Sequence, residues 1–206
     1  MLKYNDLSNK TVLITGATRG IGKTILKLFS ASGCCIYACA RKKSKDFENN
    51  LEDLSTKHNV SITPLYFDLN NDVEIKNVFL GLIKNKIKID ILINNAGISH
   101  GGLFQMTSSK TLKEVFQVNF FSQVMVTQYV IKLMIKQKIK GTIVNISSIA
   151  GIDGYPGYIA YGSSKAALNY MTKTLVDELS PHGIRINSVA PGLTETEMAS
   201  EMESKA

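Results

Sequence analysis

Short apolar runs separated by amphipathic stretches set the rhythm of this chain. Thr11-Val12-Leu13-Ile14-Thr15 has the length and β-branched content of a buried strand. Similar runs recur at Cys34–Ala40, Ile62–Phe67, Ile89–Ile93, Thr142–Ile146 and Ile184–Val189. Between them apolar residues fall at helical spacing, as Ile25, Leu28 and Phe29 do after the first run. Two longer helices are expected, around Leu112–Lys136 and Ala160–Leu179. Strands alternating regularly with helices predict a doubly wound α/β fold, a parallel sheet with helices on both faces. No repeat, low-complexity segment or Pro/Gly linker interrupts the pattern, so residues 1–206 read as one domain. Nearly every polar cluster follows the end of a predicted strand. In an open parallel sheet that is the edge where ligands bind.

The first such cluster is Gly16-Ala17-Thr18-Arg19-Gly20-Ile21-Gly22, between a strand and a helix. Gly16 permits a tight turn, Gly20 lets the backbone approach a pyrophosphate, and Gly22 lets helix and strand pack closely. The helix start offers free N–H groups and a positive dipole end to phosphates. The spacing is GxxxGxG rather than GxGxxG. The second strand ends Ala40-Arg41-Lys42-Lys43, with no carboxylate before Asp46. A carboxylate near that position serves the ribose 2′-hydroxyl of NAD, whereas Arg41 suits a 2′-phosphate. Arg19 is placed to face the same group. The expected cofactor is therefore NADP(H) in preference to NAD(H), the alternative for Arg41–Lys45 being a solvated basic loop.

The second cluster is Tyr161-Gly162-Ser163-Ser164-Lys165. On a helix, residues four apart share a face, so the ammonium lies close to the phenol. A free tyrosine has a pKa of about 10, and a nearby cation lowers it. Carbonyl reduction needs such a group, giving a proton to oxygen as hydride reaches carbon. A YxxxK spacing by itself is more often a tyrosine beside a solvated lysine; the accompanying motifs set this one apart.

Those motifs, in order, are TGATRGIG, NNAG (Asn94–Gly97), Asn119, VNISS (Val144–Ser148), YGSSK and APGLTET (Ala190–Thr196). From about Lys10 to Met198 the chain resembles the short-chain dehydrogenase/reductase family, nearest in type to its 3-oxoacyl-acyl-carrier-protein reductases. The resemblance implies a Rossmann-like fold and an NADP(H)-dependent reduction of a ketone to a secondary alcohol. It implies that Tyr161 is the general acid, Lys165 its electrostatic partner and ribose ligand, and Ser148 the hydrogen-bond donor to the substrate carbonyl. Asn119 matches the asparagine that links Lys165 to solvent through a water; its simpler reading is a buried amide. Ser147 faces the other way by strand alternation, as core or backbone support. Gly16, Thr18, Arg19 and Ile21 match the pyrophosphate turn, with Gly20 and Gly22 beside them. Asp68 and Leu69 match adenine contacts, and Asn95, Ala96 and Gly97 contacts near the adenine ribose. Thr194 and Thr196 match the loop over the nicotinamide. Taken alone, Asp68 is equally a helix cap and Asn94-Asn95 an ordinary turn.

The net charge of +7 raises a nucleic-acid reading, but the lysines are dispersed and no aromatic-interleaved basic motif occurs. Lys132–Lys140 is either solvated or attractive to an acidic partner such as an acyl carrier protein. Carrier-protein reductases of the family place basic side chains where this chain has Ile139 and His182, a departure that weakens the carrier assignment. Cys34, Cys35 and Cys39 suit a reducing compartment rather than disulfides or a metal site, and a cytoplasmic location is expected. Lys3, Asn5 and Asp6 break any early apolar run, and no uninterrupted apolar stretch reaches the ~20 residues of a membrane helix. The two long helices imply a homodimer or homotetramer by family resemblance. Family members usually add a further helix and strand after APGLTET. Without them Ile184–Val189 is expected to form an exposed sheet edge, and the chain to be less stable and less oligomeric than its relatives. The competing functions are reduction of an acyl-thioester or small-molecule carbonyl, dehydrogenation of a sugar, polyol or steroid, and cofactor binding without turnover.

Overall fold

The computed structural model describes residues 7–194. Six parallel strands form one sheet in the order β3-β2-β1-β4-β5-β6. They are β1 (Thr11–Ile14), β2 (Cys35–Ala40), β3 (Ile62–Tyr66), β4 (Ile91–Asn94), β5 (Thr142–Ile146) and β6 (Arg185–Val189). The order reverses between β1 and β4, which opens a crevice at the carboxyl ends of those strands. β6 is an edge of this sheet.

The described residues form the α-helices α1 (Gly20–Ala31), α2 (Lys45–His58), α3 (Asp72–Lys84), α4 (Ser109–Phe116), α5 (Ser122–Lys136) and α6 (Ile159–Leu179). Strand alternation divides the core in two. Val12, Ile14, Ile36 and Ala38 face α1 and α2 through Leu26, Phe47, Leu51 and Leu54. Leu13, Cys39, Leu92 and Ile143 face the other way, toward Phe79 of α3, Val130 of α5 and Leu179 of α6. At the amino edge the buried Asp90 joins β1 to β4: it accepts from Thr11 N at 3.0 Å and pairs with Lys88 and Lys10 at 3.2 and 3.7 Å.

The main departure from the sequence reading lies in the expected helix Leu112–Lys136. It begins earlier, at Ser109, and a π-turn over Gln117–Phe121 separates α4 from α5. Side chains compete for the helical ladder there. Ser122 Oγ donates to the carbonyls of Gln117 and Leu69, and Gln117 Nε2 reaches Asp72 at 2.9 Å. Such insertions disrupt regular i→i−4 bonding, and π-turns recur at functional sites. The combined helix Ser109–Lys136 is long and apolar enough to cross a membrane by length and composition, but half of its most apolar window is buried. Val126, Val130, Leu133 and Met134 spend that hydropathy on the core.

Candidate active site

Three elements that end at the carboxyl edge build the site. After β1 the chain turns at Gly16, whose φ of +67° is in the left-handed region, and enters α1 at Gly20. A Cβ at Gly22 would lie 2.1 Å from Gly16 O, so only glycine lets α1 approach the turn this closely. Arg19 occupies the N-cap position in extended conformation, and no side chain among the described residues caps the helix. The first-turn N–H groups therefore remain available to an anion. Thr18, Arg19 and Arg41 are exposed around this turn, and Ile21 is half-buried. Lys43, in contrast, pairs with Glu48 at 3.1 Å.

Residues after β4 hold the turn in place. Asn95 Nδ2 donates to the carbonyls of Thr15 and Gly16, each at 3.0 Å. Thr15 Oγ1 accepts from Asn95 N and Ala96 N at 2.9 and 3.0 Å. Asn95 and Ala96, expected near a ribose, thus lock the glycine turn to the end of β4. Thr15 is the hub of that lock, and sequence reasoning passed over it. Its signal was a polar residue closing an apolar strand. Asp68 Oδ1 accepts from Asn70 N at 2.8 Å in a turn, and Leu69 O accepts from Ser122 Oγ. Thr194 is exposed at the same edge, near where Ile149 N bonds Pro191 O at 3.1 Å; Thr196 lies outside the described residues.

The proton-transfer group forms where β5, α6 and the π-turn meet. Ser148 follows β5; its hydroxyl accepts from Ala150 N at 3.2 Å and lies near enough to the Tyr161 phenol to favour its ionised form. Tyr161 is 8% exposed and Lys165 4%. Lys165 Nζ donates to Ile146 O at 2.8 Å and lies 5.9 Å from the Tyr161 ring centroid. Ser147 turns the other way, donating to Lys165 O at 3.3 Å, as strand alternation predicts. Asn119 is fully buried in the π-turn. Its Oδ1 accepts from Ile98 N at 2.8 Å, and its Nδ2 donates to Ile98 O and Ser164 Oγ at 2.9 and 3.0 Å. A Cβ at Gly97 would sit 3.2 Å from Asn119 Oδ1 and 3.5 Å from Lys165 Nζ, so these two groups flank one spot. The four residues singled out in the sequence converge here.

The electrostatics differ from expectation in one respect. Burial raises the Tyr161 phenol above the ordinary tyrosine value; the nearby Ser148 hydroxyl offsets part of this, and Tyr158 adds a smaller upward push. The sequence reading had Lys165 lowering it. Here desolvation wins, and it acts on the lysine too, lowering it to about 8. The phenol is thereby held protonated at neutral pH, beside an ammonium whose charge is easily lost. Tyr158 lies edge-on to Tyr161 with centroids 6.5 Å apart, and Tyr155 edge-on to Tyr158 at 6.3 Å. Gly102 N bonds Gly157 O at 2.9 Å, joining the loop after β4 to the loop that carries these tyrosines.

A glycine turn at a helix start and a Ser–Tyr–Lys group, its tyrosine and lysine buried, share one edge of a parallel sheet, as a dinucleotide-dependent oxidoreductase requires. The short chain dehydrogenase family model matches residues 10–206, and the chain belongs to that family of oxidoreductases. It is 37% identical to the 3-oxoacyl-acyl-carrier-protein reductase of Thermotoga maritima over 97% of this chain and 80% of that protein. It is 34% identical to the L-xylulose reductase of Caenorhabditis elegans, over 94% of this chain and 75% of that protein. A short-chain dehydrogenase from Sphingobium yanoikuyae, solved in complex with NADPH, superposes with a TM-score of 0.86 at 30% identity, covering 94% of this chain and 75% of that one.

Proposed function

We propose that this chain reduces a ketone to a secondary alcohol with NADPH, and that a 3-oxoacyl thioester is its substrate class. The observation that carries the reading is the convergence of half-buried Ser148 with buried Tyr161 and Lys165 at the edge that carries the glycine turn. The residues present fit a nicotinamide dinucleotide: the uncapped start of α1 suits its pyrophosphate, and exposed Arg41 and Lys42 suit a 2′-phosphate. Lys43 is already engaged by Glu48, which leaves that task to its two neighbours. When bound, the cofactor supplies the hydride.

The protein's own part is proton supply and charge stabilisation. Tyr161, protonated at neutral pH, gives its phenolic proton to the carbonyl oxygen as negative charge grows there. Ser148 donates a hydrogen bond to the same oxygen, a contact that strengthens toward the transition state. The Lys165 ammonium stabilises the phenolate left behind. Asn119 holds the β4 loop and α6 together around these groups.

The 3-oxoacyl reading draws on the Thermotoga relative. A sugar reading draws on the Caenorhabditis relative, which matches almost as well. For a carrier-bound substrate, Ile139 is in the core, but the stem of Lys140 packs over Gly183 beside exposed His182 and offers a cation there. Exposed Phe104, Met106, Phe121 and Tyr170 along the α4–α6 side favour a homodimer or homotetramer. Cys34, Cys35 and Cys39, which form no disulfide, favour a reducing, cytoplasmic location.

The test is NADPH consumption by the purified chain with an acetoacetyl thioester, a pentulose and simple ketones, NADH run in parallel. Turnover of the thioester with strong preference for NADPH supports the proposal. Turnover confined to the sugar replaces the substrate, and preference for NADH overturns the cofactor assignment.

A further inference from the structure

Ser164 takes no part in the scheme above, yet it is fully buried between its two most important elements. Its hydroxyl donates to Tyr161 O at 2.7 Å and accepts from Asn119 Nδ2 at 3.0 Å. One O–H therefore closes a bridge from the helix bearing Tyr161 and Lys165 to the π-turn bearing Asn119. The amide at the far end is completely used: both N–H directions and the oxygen have partners. Rotating that amide by half a turn would set Oδ1 against the Ile98 carbonyl, leave Ile98 N unbonded, and leave the Ser164 hydroxyl able to meet Oδ1 only by giving up its bond to Tyr161 O. Ser164 and Ile98 thus favour one orientation. In it Oδ1, the negative end of the amide dipole, and Lys165 Nζ border the same space beside Gly97, 3.2 and 3.5 Å from where a Cβ there would lie.

We propose that Ser164 is a positioning residue, fixing the Asn119 amide so that its oxygen borders the same space as the Lys165 ammonium beside Gly97. The proposal rests on the catalytic reading of Tyr161 and Lys165. A hydroxyl suits the place because it must donate and accept at once while fully buried. Asn119 lies within the π-turn, and its side chain reaches inward from there to Ile98 and Ser164. With Ser164 shortened to alanine, Nδ2 loses one acceptor, the amide can swing, and the oriented dipole that favours charged Lys165 is lost.

The experiment is a double-mutant cycle of Ser164→Ala and Asn119→Ala, followed in kcat, KM and the carbon NMR titration of ε-labelled lysine. We expect Ser164→Ala to lower kcat by about 10-fold with KM changed less than about threefold, since misplacement of a reacting group costs rate before binding. In the Asn119→Ala background the same change should have almost no further effect, because the two act as one unit. The Lys165 resonance should titrate at lower pH in Ser164→Ala than in the wild type, a readout that needs no substrate. Equal losses in both backgrounds, with an unmoved Lys165 titration, would overturn the proposal. Should the alanine variant fold poorly, Ser164→Cys keeps a weak donor and acceptor and should fall between wild type and alanine; wild-type kcat and titration there would overturn it equally. Absence of wild-type turnover would defeat the catalytic reading, while the NMR titration would still decide whether Ser164 acts on Lys165.

Discussion

The two halves of the sheet are built from different materials. Around β1–β3, the core against α1 and α2 is almost wholly apolar; Thr15 and Ser30 are its buried polar side chains among the described residues. Around β4 and β5, a polar seam runs through the core. Asn94 Nδ2 donates to Thr127 Oγ1 and Asn145 Oδ1, and Asn145 Nδ2 donates to Thr172 Oγ1, each at 2.8 Å. Thr172 Oγ1 in turn donates to Leu168 O at 2.9 Å. The seam continues toward the carboxyl edge through Asn119, Ser164 and Lys165. In the proposed reading the first half offers ligands its backbone, which apolar packing and glycine suffice to place. The second half offers side chains, and holding a phenol and an ammonium at fixed separation requires directional bonds.

The largest expected effect falls on the second half. Tyr161→Phe should reduce turnover about 10²- to 10⁴-fold, the usual loss on removing a general acid, with cofactor affinity and melting temperature nearly unchanged. A comparable loss of cofactor binding would erase the division of labour. Next, Gly22→Ala should destabilise the chain by about 1–3 kcal/mol or more, because its Cβ meets the Gly16 carbonyl rather than a side chain that can move. Denaturant unfolding measures this, and cofactor titration should weaken with it.

A matched pair then compares the two cores. Thr172→Val keeps the shape but strands the Asn145 amide, at a cost of about 1–3 kcal/mol. Ile36→Val in the apolar half removes one methyl and should cost about 0.5–1.5 kcal/mol. Equal costs would mean that the seam is no more than packing. The smallest effect is on stability against pH. Lys165 is lowered to about 8 in the folded state from 10.5, so between those values the unfolded chain binds more protons. Stability carried by this group therefore rises with pH across that window and is lowest at neutral pH, where the charge is buried. The stability of Lys165→Met relative to wild type should be highest near neutrality and fall as pH rises from 8 to 10.5.

Much of this was legible in the sequence. The βα alternation gave the strand count, and β5 matched residue for residue. Tyr161, Lys165, Ser148 and Asn119 stand out by spacing and order in the sequence, and the structure brings them together. The π-turn was not, since it arises from bonds between Gln117, Ser122 and residues some fifty positions away, which no local periodicity records. The roles of Thr15 and Ser164 were hidden for a related reason: each is a small polar residue whose partners arrive from other elements. The direction of the Tyr161 shift was misjudged because spacing reports proximity of a cation but not the desolvation that comes with burial.

In the proposed reaction the Lys165 charge supports proton donation by a phenol that burial keeps protonated. The pH profile of kcat/KM for ketone reduction tests this most directly, because it reports the groups of the free enzyme. The predicted profile is level through neutral pH and falls with unit slope above about 8, where Lys165 loses its charge. A profile still level two units higher would show that the lysine charge does not govern the step, and would contradict the account.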